Sequence, residues 1–261
     1  MRAKSILRRI GAMALAAGVM IGALASSQQP AKAATGFKVA DKKYEKSYQL
    51  DDGSDYYKLT YQYPVLKGNS AAAKKINQTL EKQRKEWIKK TKTNADKYKS
   101  EYEEYLTRAG KNDRAWTYSD DVIYEITNND GKYFSVLISG YEYTGGAHGM
   151  PYRIAYTFDA KTGQKLTAAK LLKTSKAKLN EKVRKLYLKK YDKEGIDAGF
   201  YASVEGDKNS ASGRTELKKA LAPMDFNNAF YVKDGKAVFY AEPYVLGPYA
   251  AGYIEVYANV K

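Results

Sequence analysis

The chain has 261 residues, 44% of them hydrophobic, with 25 tyrosines, 7 phenylalanines and 2 tryptophans, which is ample apolar mass for a packed core. It has no cysteine and one histidine, which excludes disulfides, thiolate zinc sites, cysteine nucleophiles and any two-histidine metal site within one chain. The formal charge is +16; five positive residues (Arg2, Lys4, Arg8, Arg9, Lys32) and no acid precede Ala34, so a chain beginning there carries +11 and favours an anionic neighbour such as wall polymer, membrane lipid, nucleic acid or an acidic protein.

Residues 1–9 are short and basic, residues 10–25 are apolar and rich in small side chains, and Ala31-Lys32-Ala33 supplies a small-residue cleavage site. This layout predicts a signal peptide over residues 1–33, with a second possible cut after Ala25. The apolar run falls short of the roughly 20 residues a spanning helix wants, which favours a cleaved signal over the competing reading, an uncleaved anchor. The expectation is a secreted, extracellular, wall-associated protein with no stable membrane span after cleavage.

Residues 37–50 and 55–65 read as strands around an Asp51-Asp52-Gly53-Ser54 turn, and Pro64 and Gly68 are expected to stop the sheet. Asn69 and Ser70 are good N-caps. Ile76, Leu80, Trp87, Tyr98, Tyr102 and Tyr105 then recur at combinations of three and four, the apolar stripe of a helix over residues 71–109. Such a helix would be about 58 Å long, and the weak formers from Thr91 to Asn94 predict a break. Residues 74–99 hold ten basic and three acidic side chains, either a solvated helix back or a face for an anionic polymer.

Residues 116–127, 132–143 and 152–159 predict an antiparallel meander, its first two strands joined by Asn128-Asn129-Asp130-Gly131. A short helix is expected within 166–172, a longer one over 176–191 with Leu179, Val183, Leu186 and Tyr187 on one side, and another over 214–221. Residues 194–213 are polar and glycine-containing, with no element assigned. Residues 226–232 and 236–241 form a hairpin, Pro243 and Pro248 keep the next stretch off the centre of a sheet, and 253–260 is a closing strand. The fold class is α+β: an antiparallel sheet with a long N-terminal helix and a second helix packed on it. The mature part, 34–261, is one domain or two tightly joined pieces, about 37–115 and 116–261.

The most distinctive stretch is Tyr141-Glu142-Tyr143-Thr144-Gly145-Gly146-Ala147-His148-Gly149. Three glycines in five residues call for positive φ or for neighbours too close to admit a Cβ. His148 as a general base would need an acid and a nucleophile in reach, with Glu142 the nearest acid in sequence. The simpler expectation is that it fixes a turn by hydrogen-bonding backbone. Asp51-Asp52 and Asp120-Asp121 are carboxylate pairs, and a glycosidase would need two carboxylates facing each other across a groove. Nothing resembles a nucleophile elbow, a P-loop or a dinucleotide fingerprint. The tyrosines either pack within strands or stack on sugars. The candidate binding residues are Tyr143, Gly145, Gly146, His148, Tyr244 and Tyr249, with no catalytic residue, metal ligand or cofactor assigned.

Two motifs carry a resemblance. One is Tyr143-Thr144-Gly145-Gly146-Ala147-His148-Gly149, followed by Phe158-Asp159 and Thr162-Gly163. The other is Tyr244-Val245-Leu246-Gly247-Pro248-Tyr249-Ala250-Ala251-Gly252 before the last strand. With them, residues 37–261 resemble the PdaC/RsiV-like superfamily of extracellular bacterial domains. The resemblance implies an α+β domain with helices on an antiparallel sheet. Relatives include the outer part of a lysozyme-sensing anti-sigma factor and the non-catalytic front half of a peptidoglycan deacetylase. This sequence shows no sigma-binding segment before the apolar run and no deacetylase domain after Lys261, so a non-catalytic envelope module is expected. Its expected partner is an anionic or glycan wall polymer, or a wall-acting enzyme; export and the lack of a recognition module argue against nucleic acid. The alternatives are a wall-glycan hydrolase or deacetylase-type enzyme, and a lysozyme-binding sensor or inhibitor. For the latter, familiar lysozymes are basic like this chain, so long-range steering would be repulsive.

Overall fold

The computed structural model describes residues 36–109, 116–201 and 209–260; the expected signal peptide lies outside the described residues. The strands are β1 (Val39–Gln49), β2 (Asp55–Leu66), β3 (Tyr118–Asn129), β4 (Tyr133–Tyr143), β5 (Met150–Asp159), β6 (Phe230–Lys233), β7 (Lys236–Ala241) and β8 (Ile254–Asn259). The helices are α1 (Ala71–Ala109), α2 (Ala168–Leu171), α3 (Lys176–Glu194) and α4 (Ala211–Leu221). The α+β class stands, but the strands form two sheets, β1-β2-β3-β4-β5 and β6-β7-β8. Among the described residues no helix is long and apolar enough to cross a membrane.

The larger sheet is mixed rather than antiparallel, because β2 and β3 run parallel, with Tyr57 opposite Tyr118 and Tyr61 opposite Val122. A parallel pair needs a long crossover, and α1 is that crossover. A division of the chain near residue 115 would cut through this sheet, since β3 hydrogen-bonds to β2. Pro64 does not stop β2. It pairs with Asp41 of β1, beyond the stretch that β3 joins, so its missing N–H interrupts no ladder on that side.

The layers follow from which faces are apolar. Tyr57, Leu59, Tyr61, Val122, Val136 and Ile138 pack with α1 on one face of the larger sheet. On its other face, Leu137 and Ala155 meet Tyr231, Val238 and Tyr240 of the smaller sheet. The far face of the smaller sheet, with Phe230, Val232, Phe239 and Val256, packs with Leu179, Val183 and Tyr187 of α3 and Leu217 and Leu221 of α4. The order is therefore helix, sheet, sheet, helix. Burial on both faces explains why β7 reads as an unbroken apolar run. At the seam, Ser135 Oγ accepts the Val232 N–H at 2.9 Å and satisfies a buried donor of the edge strand β6.

α1 is continuous over 39 residues, and the break expected at Thr91 to Asn94 is absent. Thr91 and Ala95 are each 1% exposed and extend the stripe of Ile76, Leu80, Trp87, Tyr98 and Tyr102. Thr91 and Thr93 donate their hydroxyls to the carbonyls of Ile88 and Lys89, so neither competes for backbone. Sheet contact along the whole stripe outweighs weak local propensity. Tyr105 leaves the stripe and is 44% exposed. Ser70 caps the start through the Ala73 N–H at 3.1 Å, and Asn77 clamps both backbone groups of Leu66 at 2.9 Å. On the outer side Lys82, Lys85 and Lys97 pair with Glu86, Glu81 and Glu101 one turn away.

A polar cluster lies under α1. Tyr152 stands opposite Gly140 and its ring crosses β4 there; a Cβ on Gly140 would sit 2.0 Å from Tyr152 Cζ. Beyond it the Tyr152 hydroxyl donates to Asp120 Oδ1 at 2.8 Å, and Trp87 Nε1–H donates to Asp120 Oδ2 at 2.9 Å. The ring is pinned, so Gly140→Ala cannot be absorbed by a cheap side-chain swing. We expect it to lower stability by about 1–3 kcal/mol, read by chemical denaturation; an unchanged midpoint would show that Tyr152 does not cross β4 at this position.

Candidate functional site

The loop between β4 and β5 folds back on its own strand. Gly145 and Gly146 have φ of 93° and 84°, where only glycine sits without strain. Gly149 answers the other requirement: a Cβ there would lie 2.4 Å from the Glu142 carbonyl oxygen. Tyr141 Oη accepts the Gly149 N–H at 2.7 Å, and the Tyr143 hydroxyl donates to Gly146 O at 3.1 Å. These contacts present His148 on the side away from α1.

The two sequence motifs meet at this histidine. Its ring stacks on Tyr249 with centroids 3.9 Å apart and planes 18° from parallel, and Tyr244 lies 6.3 Å away at 28°. Nδ1 is 3.0 Å from Gly149 O, and Nε2 is 3.2 Å from the Tyr244 hydroxyl. A carbonyl oxygen only accepts, so in the neutral imidazole Nδ1 carries the proton and Nε2 accepts from Tyr244. Tyr249 also hydrogen-bonds Tyr141, and partial burial with that bond pushes its hydroxyl pKa up to about 12. Tyr143, Gly145, Gly146, His148, Tyr244 and Tyr249 thus form one connected cluster.

The second loop is held from below. A Cβ on Gly247 would lie 1.9 Å from Gly199 O, so two backbones touch there. Tyr201 donates its N–H to Leu246 O and its hydroxyl to Tyr244 O, both at 3.1 Å. Tyr244 has a φ of +67°, a conformation large side chains seldom adopt. Tyr201 and Tyr141 belong to the cluster but were not among the candidate residues. Tyr201 sits in the polar stretch given no element, and no local pattern singles it out.

The acids considered as partners lie elsewhere. Glu142 accepts the Tyr98 hydroxyl of α1 at 2.7 Å, on the face opposite Tyr141 and Tyr143. Asp120 is 4% exposed beneath α1, and burial raises its pKa to about 6. Asp52 accepts from Ser54 in its turn, and Asp51 pairs with Lys99. Nearer the loop, burial raises the carboxyl of Glu242, which accepts the Arg153 backbone N–H. Arg153 itself pairs with Glu255 at 2.8 Å and lies over the ring of Tyr253. Two surface depressions, one edged by Lys170, Lys173 and Lys178 and one along the outer side of α1, involve none of the His148 cluster. Among the described residues no group of three or more His, Asp and Glu could hold a metal ion.

Residues 50–151 match the family described as "Deacetylase PdaC", and residues 166–257 match the "Protein of unknown function (DUF3298)" family. The two matches bear out the resemblance to the PdaC/RsiV-like superfamily. The His148 loop closes the PdaC region, and the Tyr244–Tyr249 loop lies within the DUF3298 region, so the ring stack joins the two. The fold is shared with crystal structures of a DUF3298 family member from Bacteroides fragilis (17% identity, TM-score 0.54, covering 86% of this chain and 91% of that one) and of a DUF3298 family protein from Pseudomonas aeruginosa PAO1 (15%, 0.54, 85% and 90%). No curated protein matches the chain.

The buried carboxylate makes a testable difference. Asp120 has a raised folded pKa of about 6, so the folded state holds an extra proton between its unfolded value, about 4, and about 6. The charged form therefore costs stability above about pH 6, and that cost disappears as pH falls toward 4. Asp120→Asn, which keeps an acceptor for Trp87 and a donor for Tyr152, should gain on the parent by roughly 2 kcal/mol more at pH 8 than at pH 4.5. Denaturation of both proteins across that range checks it; a constant difference would mean that Asp120 titrates normally.

Proposed function

We propose that this protein is a secreted, non-catalytic module of the bacterial cell envelope that adheres to wall polymer. The observation that carries this reading is the state of His148. Both ring nitrogens are engaged, one by a backbone carbonyl and one by Tyr244, and the ring is stacked on Tyr249. General-base chemistry asks for a nucleophile on one ring nitrogen and an orienting acid on the other; here Nδ1 meets a backbone carbonyl, and the nearest acid in sequence, Glu142, serves Tyr98 on the other face of β4. The imidazole acts as a fastener between loops, and the rings around it form a surface rather than a reaction centre.

Three further features support an envelope role: the signal-like leader, the surplus of positive charge and the PdaC and DUF3298 family matches. Lys74, Lys75, Lys89, Lys90 and Lys92 of α1 make no ion pair among the described residues and remain available to an anionic polymer.

The test is retention of the purified mature chain on isolated wall sacculi at low salt, before and after anionic polymers are stripped. Retention in at least one state is expected, with no release of soluble murein fragments. Absence of retention in both states would overturn the binding reading, and release of fragments or acetate by the wild type but not by His148→Ala would overturn the non-catalytic one.

A further inference from the structure

Among the described residues, the exposed surface around His148 is aromatic and uncharged. Tyr201 is 48% exposed, Tyr244 47%, Met150 47% and Val245 41%. The three segments that build it, 143–150, 199–201 and 244–252, contain no Lys, Arg, Asp or Glu. The chain's large positive charge sits elsewhere, so a partner recognised here is not chosen by charge.

The hydroxyls sharpen this. Tyr201 donates its hydrogen to Tyr244 O at 3.1 Å, and Tyr143 donates to Gly146 O at 3.1 Å. Tyr244 donates to His148 Nε2 at 3.2 Å, because Nδ1–H is directed to Gly149 O. Each hydroxyl therefore has its hydrogen committed within the protein and only lone pairs left for a ligand. A phosphate or carboxylate needs donors and would find none among these three tyrosine hydroxyls. A neutral sugar ring offers what fits: hydroxyl and amide hydrogens for the lone pairs, and a flat C–H face for an aromatic ring. Tyr244 is held for this in a strained conformation, φ +67°, by Tyr201 and by the close contact of Gly247 with Gly199. Strain of this kind gathers at ligand sites.

We propose that Tyr201 and Tyr244 form the platform of a binding site for an uncharged pyranose chain, separate from any anionic polymer held by the helix lysines. The inference rests on the envelope-binding reading above and names the ligand class for the His148 cluster.

The probe is the tetramer of β-1,4-linked N-acetylglucosamine, titrated into the mature chain by calorimetry and by NMR. Saturable binding is expected, with an affinity that does not change as salt is raised. Tyr244→Gly removes the ring at a backbone position glycine adopts freely, so the fold is spared; binding should weaken about tenfold or more. Tyr201→Ala should weaken it as well, with the fold checked by circular dichroism. Failure of the wild type to bind the tetramer, or full affinity in the folded Tyr244→Gly variant, overturns the proposal, as does displacement of the tetramer by poly(glycerol phosphate). Retention on sacculi without tetramer binding would sink this inference alone and leave the envelope reading standing.

Discussion

The imidazole of His148 lies flat on the ring of Tyr249, 3.9 Å from centroid to centroid, and through that contact two loops far apart in sequence become one surface. Everything else at this end of the molecule serves the contact. Gly145 and Gly146 turn the first loop, Gly149 lets it lie against β4, and Tyr141 and Tyr143 tie it down by hydrogen bonds. The second loop is seated by Gly247 on Gly199 and by Tyr201. Remove the stack and only hydrogen bonds, Tyr244 to His148 and Tyr249 to Tyr141, still link the two loops. Ordering loops before a ligand arrives lowers the entropic cost of binding, which is how rigid architecture translates into adhesion.

The stack also depends on where the sheets put it. The larger sheet sends β4 and β5 toward the smaller one through Leu137 and Ala155, and the smaller sheet carries the loop before β8. The four-layer order thus brings the two motifs to the same edge. On the opposite face of β4 a second polar group, Asp120 with Tyr152, Trp87 and nearby Glu142 with Tyr98, joins α1 to the sheet. Its carboxylates are bonded to neutral donors and covered by the helix. A buried carboxylate in this setting holds α1 in register at a cost in stability at neutral pH.

Much of this was legible in the sequence, for identifiable reasons. The hairpin at Asn128 to Gly131 was legible because a tight turn has its own residue chemistry. The apolar stripe of α1 and the cap at Ser70 were legible because both are local patterns. The glycines of the His148 loop announced either positive φ or close packing, and the structure uses both, at Gly145 and Gly146 and at Gly149. The continuity of α1 through Thr91 was not legible, because the sheet beneath, not local propensity, decides it. The parallel β2–β3 pair was hidden for a similar reason: strand direction depends on which side the crossover returns. The family resemblance singled out both loops, yet their meeting at His148, Tyr244 and Tyr249 is a product of the tertiary fold, since no pattern in one loop specifies its partner 96 residues away. Tyr201 was invisible for want of any periodicity around it.

The central claim is that His148 and Tyr249 act as a unit that fastens the two loops. A double-mutant cycle on His148→Ala and Tyr249→Ala, with stability measured by denaturation at neutral pH, tests it most directly. The account predicts a coupling energy of about 1 kcal/mol between the two positions. Additive losses, within about 0.3–0.5 kcal/mol, would contradict it and show that the loops hold their places independently.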